Sequence, residues 1–223
     1  MRISVIIPVY NTGSIIKDVV KNIPCFVDEV IVVNDGSTDA ETLLALNEIM
    51  NDDRVKVISH VKNCGKGCAM RTGFYNSSGD IIVFMDGDGQ HNPHEIKKIV
   101  RPILEEVADV VIGSRDIEII GKRPFIRKIS NFLSTKIIQL VTGVRIRDTQ
   151  SGFRAFRREY VKPIESSGYE VETETLIKAI KCGARVAEVS VERIYNNAQS
   201  HFKVRDVLNF IRTVIKCARY RCR

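Results

Sequence analysis

Two aspartates separated by one glycine, Asp86-Gly87-Asp88, stand directly after the apolar run Ile81-Ile82-Val83-Phe84-Met85 and are followed by Gly89-Gln90. Carboxylates that alternate across a glycine at a strand end can approach a divalent cation and a diphosphate together. Magnesium takes one or two protein carboxylates and completes its shell with water and phosphate oxygens. The triplet alone also fits a solvated turn or a calcium loop, but the EF-hand continuation fails at Gln90. A metal-assisted site for a phosphorylated ligand is the reading that the turn supports.

Other polar groups follow apolar runs in the same way. Pro8-Val9-Tyr10-Asn11 ends the first run, Asn34-Asp35-Gly36-Ser37-Thr38-Asp39 the second, and Gly113-Ser114-Arg115 the fifth. In an open parallel sheet, ligands bind beyond the carboxyl ends of the strands, so these groups are expected to converge. Asp35 is placed to accept hydrogen bonds from a ribose or base; at the same turn, Ser37 or Thr38 can cap the next helix, with Asp39 favouring its dipole. Asn63-Cys64-Gly65-Lys66-Gly67 precedes a helical pattern and can bring backbone amides and Lys66 near phosphates. It is not a P-loop, since it lacks the upstream glycine and a hydroxyl residue after the lysine.

The elements expected to position these groups are strands at residues 3–9, 29–34, 55–59, 80–85 and 110–113, with helices between them at 15–22, 40–50, 68–76 and 93–107. Continuous apolar runs suit strands buried on both faces. Their alternation with helices implies an α/β fold with a mainly parallel sheet and right-handed crossovers. The second half departs from this rhythm, with a helix expected at 125–140, a short strand near 151–156, a helix at 172–182 and a strand at 185–191. Further on, Val204, Val207, Leu208, Ile211, Val214 and Ile215 recur at helical spacing among Lys203, Arg205, Arg212, Lys216, Arg219, Arg221 and Arg223. The expected organisation is one domain over residues 1–202 and a basic amphipathic helix over 203–223, either packed on the domain or lying on anionic lipid.

Of 223 residues, 34 are Lys or Arg and 27 are Asp or Glu, a net charge of +7 that favours anionic partners. Nucleic acid is not expected among them: no recognised binding motif occurs, and 7% aromatic content leaves little for base stacking. The amino-terminal run stops at Pro8 without signal-peptide features, and no apolar stretch approaches the roughly 20 residues of a spanning helix. Cys25, Cys64, Cys68, Cys182, Cys217 and Cys222 form no C-x-x-C pair and are expected as free thiols in a reducing compartment. A cytoplasmic protein is expected.

Together with Asp148-Thr149-Gln150-Ser151-Gly152-Phe153-Arg154, these segments make nearly the whole chain resemble the family-two glycosyltransferases of GT-A fold, a Rossmann-like nucleotide-diphospho-sugar transferase architecture. The resemblance is nearest to the dolichol-phosphate mannose synthase and polyprenyl-phosphate glucosyltransferase group. It implies inverting transfer of a hexose from UDP-glucose or GDP-mannose to a polyprenyl or dolichyl phosphate at the cytoplasmic membrane face, with transfer to a soluble glycan hydroxyl, or nucleotide binding without catalysis, as the alternatives. It also implies Pro8, Tyr10 and Asp35 at the nucleoside, with Asn11 and Lys66 completing the donor pocket. Asp86 would meet nucleotide and metal, and Asp88 with Gln90 would ligate Mg2+ or Mn2+. Arg115 and Arg127 would face the phosphates, with Lys128 an alternative to Arg127. Ser130 would hold the lipid phosphate, and Arg193 and Lys203 bracket an acceptor-side segment at 196–202. Asp88, Arg115 and Arg127 are thus the candidate catalytic groups.

Two departures qualify the resemblance. Thr12 stands where many relatives have glutamate, and many relatives continue into transmembrane helices beyond the position of Arg223, so the basic tail or a partner subunit is expected to provide the anchor. An ionised phosphate acceptor needs no strong general base. Glu170, Glu172 and Glu174 are therefore expected either to serve a hydroxyl acceptor or to form an acidic helix start, for two of the three facing solvent.

Overall fold

The computed structural model describes residues 1–115, 125–192, 194 and 204–222; at 115, 125–133 and 204–206 it describes backbone alone. Among the described residues, seven strands form one sheet: β1 (Ile3–Val9), β2 (Glu29–Asn34), β3 (Val55–Ser59), β4 (Ile81–Phe84), β5 (Val110–Arg115), β6 (Arg154–Arg157) and β7 (Val186–Val191). Helices α1 (Ile15–Lys21), α2 (Ala40–Ile49), α3 (Lys66–Tyr75) and α4 (Ile96–Leu104) alternate with the first five strands; α5 (Phe125–Thr142), α6 (Val171–Lys181) and α7 (Val204–Ala218) follow. The expected 93–107 helix is instead a 3₁₀ turn, Pro93–Glu95, followed by the shorter α4.

The sheet order is β3-β2-β1-β4-β6-β5-β7. β1 pairs in parallel with β2 and β4, and β5 does so with β7, but β6 is antiparallel to both of its neighbours, with Ala155 opposite Val83 on one side and Val111 on the other. That reversal positions the site. The loop entering β6 arrives at the same edge where the parallel strands β1, β2, β4 and β5 end.

Strand alternation divides the core between the two faces of the sheet. Ile3, Val5, Ile7 and Val9 of β1, with Ile81 and Val83 of β4, pack beneath α1, α2 and α4. Ile6, Ile82 and Phe84 point the other way, toward α3, α5, α6 and α7. Helices on both faces account for β1 and β4 being apolar at nearly every position, and each fully buried large side chain contributes about 1.5–3 kcal/mol.

The C-terminal region corrects the expected cysteine chemistry. Cys182 and Cys222 form a disulfide, while Cys25, Cys64, Cys68 and Cys217 are free. The bond forms because the ends of α6 and α7 pack side by side, bringing two Cα atoms 40 positions apart in sequence to 5.1 Å. Val214 and Cys217 of α7 are buried against the body, and burial pushes the Cys217 thiol up to about 11. Val207, Leu208, Ile211 and Ile215 remain exposed. The helix is therefore packed on one side and apolar on another.

Lys216 of α7 pairs with Glu165, which also receives Lys178 of α6 at 2.8 Å. Hydrogen bonds from Lys178 and then Lys216 hold the Glu165 carboxyl at about 2, below its usual 4.5. A depressed carboxyl pKa contributes stability that is present above the unfolded value and lost as pH falls toward the folded one. Glu165→Gln is therefore expected to lower the unfolding temperature modestly at pH 7, since Glu165 is half exposed and screened. The difference from the parent should close between pH 4.5 and about 2, as read by paired thermal melts across that range.

Candidate active site

Asp86 follows β4 at the carboxyl edge, and α3 projects Lys66 onto it. The Lys66 ammonium lies 2.5 Å from Asp86 Oδ1 and 2.5 Å from Glu172 Oε1, in the first turn of α6. His91 Nε2 stands 3.7 Å from Asp86 Oδ2, and the imidazole stacks on Phe153 with ring centroids 5.2 Å apart. Asp88 Oδ1 accepts the Gln90 backbone N–H at 3.0 Å, which fixes the turn.

Burial opposes the charge of Lys66, yet Asp86 and Glu172 outweigh it and raise its pKa far above that of an ordinary lysine. Burial likewise works against ionised Asp86, but Lys66 and then His91 hold it far below the usual carboxylate range. Asp88 moves upward, because burial and the neighbouring Asp86 charge both disfavour its ionisation. Asp86 and Asp88, two carboxylates on one turn with Gln90 next in sequence, offer oxygen donors of the kind that Mg2+ or Mn2+ takes.

The loop entering β6 makes room for Asp86. A Cβ at Gly152 would lie 2.4 Å from Asp86 Oδ2, so a larger residue there requires the carboxylate to move. Arg154, 2% exposed, fixes this loop: its guanidinium donates to the carbonyls of Ser151, Thr149 and Glu172. One buried side chain thus ties the wall beside Asp86 to the helix that carries Glu172.

The glycine-rich loop is built on Asp35. Its carboxylate accepts N–H groups from Cys64 at 2.9 Å and Gly65 at 2.7 Å, and from His60 Nδ1 at 2.7 Å. His60 Nε2 lies 2.9 Å from Thr72 Oγ1. Gly65 has φ +94°, and Gly67 presses so closely on the Ser166 carbonyl that a Cβ would meet it at 2.1 Å. Asp35 therefore organises the backbone that presents Lys66 at the start of α3, two residues before the helix start expected at 68.

The other expected site residues divide into three groups. Pro8 lies in β1 opposite Val33, Tyr10 is exposed, and Asn11 (φ 49°) locks the β1 and β2 ends together, its N–H donating to Ser37 Oγ and its Oδ1 accepting the Thr38 N–H. The α2 cap is Asp39, which accepts from Thr42 N at 2.7 Å, and neither Ser37 nor Thr38. Arg115 ends β5 opposite Val191, while Arg127 and Ser130 belong to α5; their side chains, and Arg193 and Lys203 altogether, lie outside the described residues.

Of the three glutamates expected to take an acceptor role or to form a solvent-facing helix start, Glu172 and Glu174 are buried. Glu172 pairs with Lys66, and Glu174 accepts the Glu165 and Ser166 amides and Lys178 Nζ. Each has a partner distant in sequence or a loop that covers it, which removes the need for water. His91 is a site residue that the sequence does not single out, and the pairing of Glu172 with Lys66 is a role different from the one expected of it. His91 directly follows Gln90, the only signal available for it.

A mostly parallel sheet with one reversed interior strand and an Asp-x-Asp turn at its carboxyl edge is the GT-A architecture of nucleotide-sugar enzymes. Residues 4–164 match the model of glycosyl transferase family 2. The chain is 34% identical to the UDP-N-acetylglucosamine–dolichyl-phosphate N-acetylglucosaminyltransferase of Methanococcus voltae, over 86% of each chain. It is 31% identical to the dolichol-phosphate mannosyltransferase of Pyrococcus furiosus, covering 99% of this chain and 64% of that one. Glucosyl-3-phosphoglycerate synthase from Mycobacterium tuberculosis, in complex with Mn2+ and UDP-glucose, superposes with a TM-score of 0.72 at 26% identity, over 97% of this chain and 77% of that one. The chain belongs to glycosyl transferase family 2 and is a glycosyltransferase.

Gly152→Ala is expected to displace the Asp86 carboxylate, because the added methyl collides with Oδ2. Gly152 is not among the positive-φ glycines, so alanine suits its backbone and the fold should persist by circular dichroism. A misplacement of this kind costs about 100-fold in turnover. Unchanged donor turnover would mean that the position of Asp86 is immaterial to the reaction.

Proposed function

We propose that this enzyme transfers a hexosyl group from a nucleotide-diphosphate sugar to a polyprenyl or dolichyl phosphate, with inversion and with a divalent ion. The observation that carries the acceptor class is the state of the buried glutamates. Glu172 is ion-paired to Lys66, and Glu174 is bonded to Lys178 and two amides, so neither is free to take a proton from a hydroxyl. A phosphate monoester, with a second pKa of about 6, arrives already ionised and needs no such base. The names of the Methanococcus and Pyrococcus relatives, both acting on dolichyl phosphate, support the same acceptor class.

Asp86 and Asp88, with Gln90, would hold Mg2+ or Mn2+, which stabilises the charge that develops on the departing nucleoside diphosphate. Lys66, held between Asp86 and Glu172, adds a further cation beside the diphosphate, and Arg115 and Arg127 are assigned to the phosphates. Pro8, Tyr10 and Asn11 are assigned to the nucleoside, with Asp35 acting there through the Gly65 loop that it holds. Ser130, Arg193 and Lys203 are assigned to the acceptor phosphate. UDP-glucose and GDP-mannose are the donors proposed, and the Methanococcus relative adds UDP-N-acetylglucosamine to those worth testing.

No helix among the described residues is long and apolar enough to cross a membrane. Membrane access is assigned to α7, whose exposed Leu208, Ile211 and Ile215 lie among basic residues, as an interfacial helix requires. A membrane-anchoring partner subunit is the other means proposed. Leu208→Asp with Ile211→Asp is expected to abolish co-sedimentation with anionic phospholipid vesicles while leaving the thermal melt nearly unchanged. Equal sedimentation of variant and parent would remove α7 from the membrane role.

Transfer of radiolabelled sugar from each donor into organic-extractable polyprenyl phosphate tests the reaction itself. Label in the lipid phase is expected, lost with EDTA and reduced about 100-fold or more in Asp88→Ala. Metal-dependent donor hydrolysis without lipid label would redirect the acceptor to a soluble hydroxyl compound, and full activity in Asp88→Ala would remove the metal from the mechanism.

A further inference from the structure

The Lys66 ammonium supplies positive charge to two carboxylates at once. It touches Asp86 and Glu172 at 2.5 Å each, and both carboxylates are largely shielded from water, the Glu172 side chain 9% exposed and that of Asp86 28%. A buried carboxylate without a counter-charge is strongly disfavoured, and Lys66 provides that counter-charge from within the chain. A divalent ion reaching Asp86 brings a second cation to the same carboxylate and must compete with the ammonium already there.

Glu172 gives that ammonium somewhere to go. Its oxygen is already in contact with Lys66 Nζ, so the lysine can leave Asp86 without losing its remaining partner or crossing solvent. The two anchoring ends are fixed. Gly65 and Gly67 press the start of α3 against the Ser166 and Ser167 carbonyls, and Arg154 holds the Glu172 carbonyl. The hand-over therefore needs only side chains to move.

We propose that Glu172 is a positioning residue that withdraws Lys66 from Asp86 when the divalent ion binds, retaining the ammonium beside the leaving diphosphate. The inference rests on the reading that Asp86 is a metal ligand. It makes Lys66 a resident competitor of the metal before it becomes a contact for the nucleotide. Glu172 acts on metal binding only through Lys66.

The test is Mn2+ affinity without nucleotide, measured by electron paramagnetic resonance on the parent, Lys66→Met, Glu172→Gln and the double variant, each first confirmed folded by its thermal melt. Lys66→Met is expected to bind Mn2+ more tightly and Glu172→Gln more weakly, each by about fivefold or more, the usual range of coupling between sites. In the Lys66→Met background, Glu172→Gln should then have no effect. A general electrostatic field from Glu172 would instead weaken Mn2+ by the same factor in both backgrounds, and that additivity would overturn the proposal. Failure of the parent to bind Mn2+ in a manner removed by Asp88→Ala would locate the error one step earlier, in the metal reading itself, and the proposal would fall with it. UDP and GDP affinity in the presence of Mn2+ is expected to fall in Lys66→Met; unchanged affinity would contradict the second half of the hand-over.

Discussion

A carboxylate at the end of a strand buried on both faces is largely cut off from water, and much of this molecule is arranged to supply Asp86 with what water would have given. Positive charge comes from α3 through Lys66, and His91 approaches from the following turn. Space comes from Gly152. The space depends on β6 running against its neighbours, because only a reversed strand delivers its preceding loop to the carboxyl edge. Arg154 then joins that loop to α6 from below, so wall, anion and turn are held as one unit.

The apolar runs of β1 to β5 are legible in the sequence because strands covered on both faces have little freedom to include polar residues. The polar groups at their ends are legible for the complementary reason: a charge directly after such a run needs a purpose. Asp35, Asp86 and Asp88 come from that contrast. The short strand expected near 151–156 overlaps β6, but its reversed place between β4 and β5 is decided by contacts remote in sequence and leaves no local signal.

Burial of Glu172 and Glu174 is hidden in the same way. Acidic residues in a first helical turn ordinarily favour the dipole and face water. Here the decisive partner of Glu172 is Lys66, 106 positions earlier. The expectation of six free thiols failed because the meeting of Cys182 with Cys222 is set by how α6 packs on α7, which no cysteine spacing encodes. Asp35 illustrates a subtler limit. Its importance is visible from its place after β2, whereas its hydrogen bonds to the Gly65 loop emerge only when β2 and α3 are brought together.

The Cys182–Cys222 bond also changes the topology of the C-terminal region. β7 and α7 both lie between the two cysteines, β7 hydrogen-bonded into the sheet beside β5 and α7 resting on α6. Without the bridge, α7 would be held only by its packing and by its peptide connections. Here it is part of a closed covalent ring. A single peptide-bond break between β7 and α7 would leave the two fragments one molecule, with the amphipathic helix still carried by the domain until the bridge was reduced.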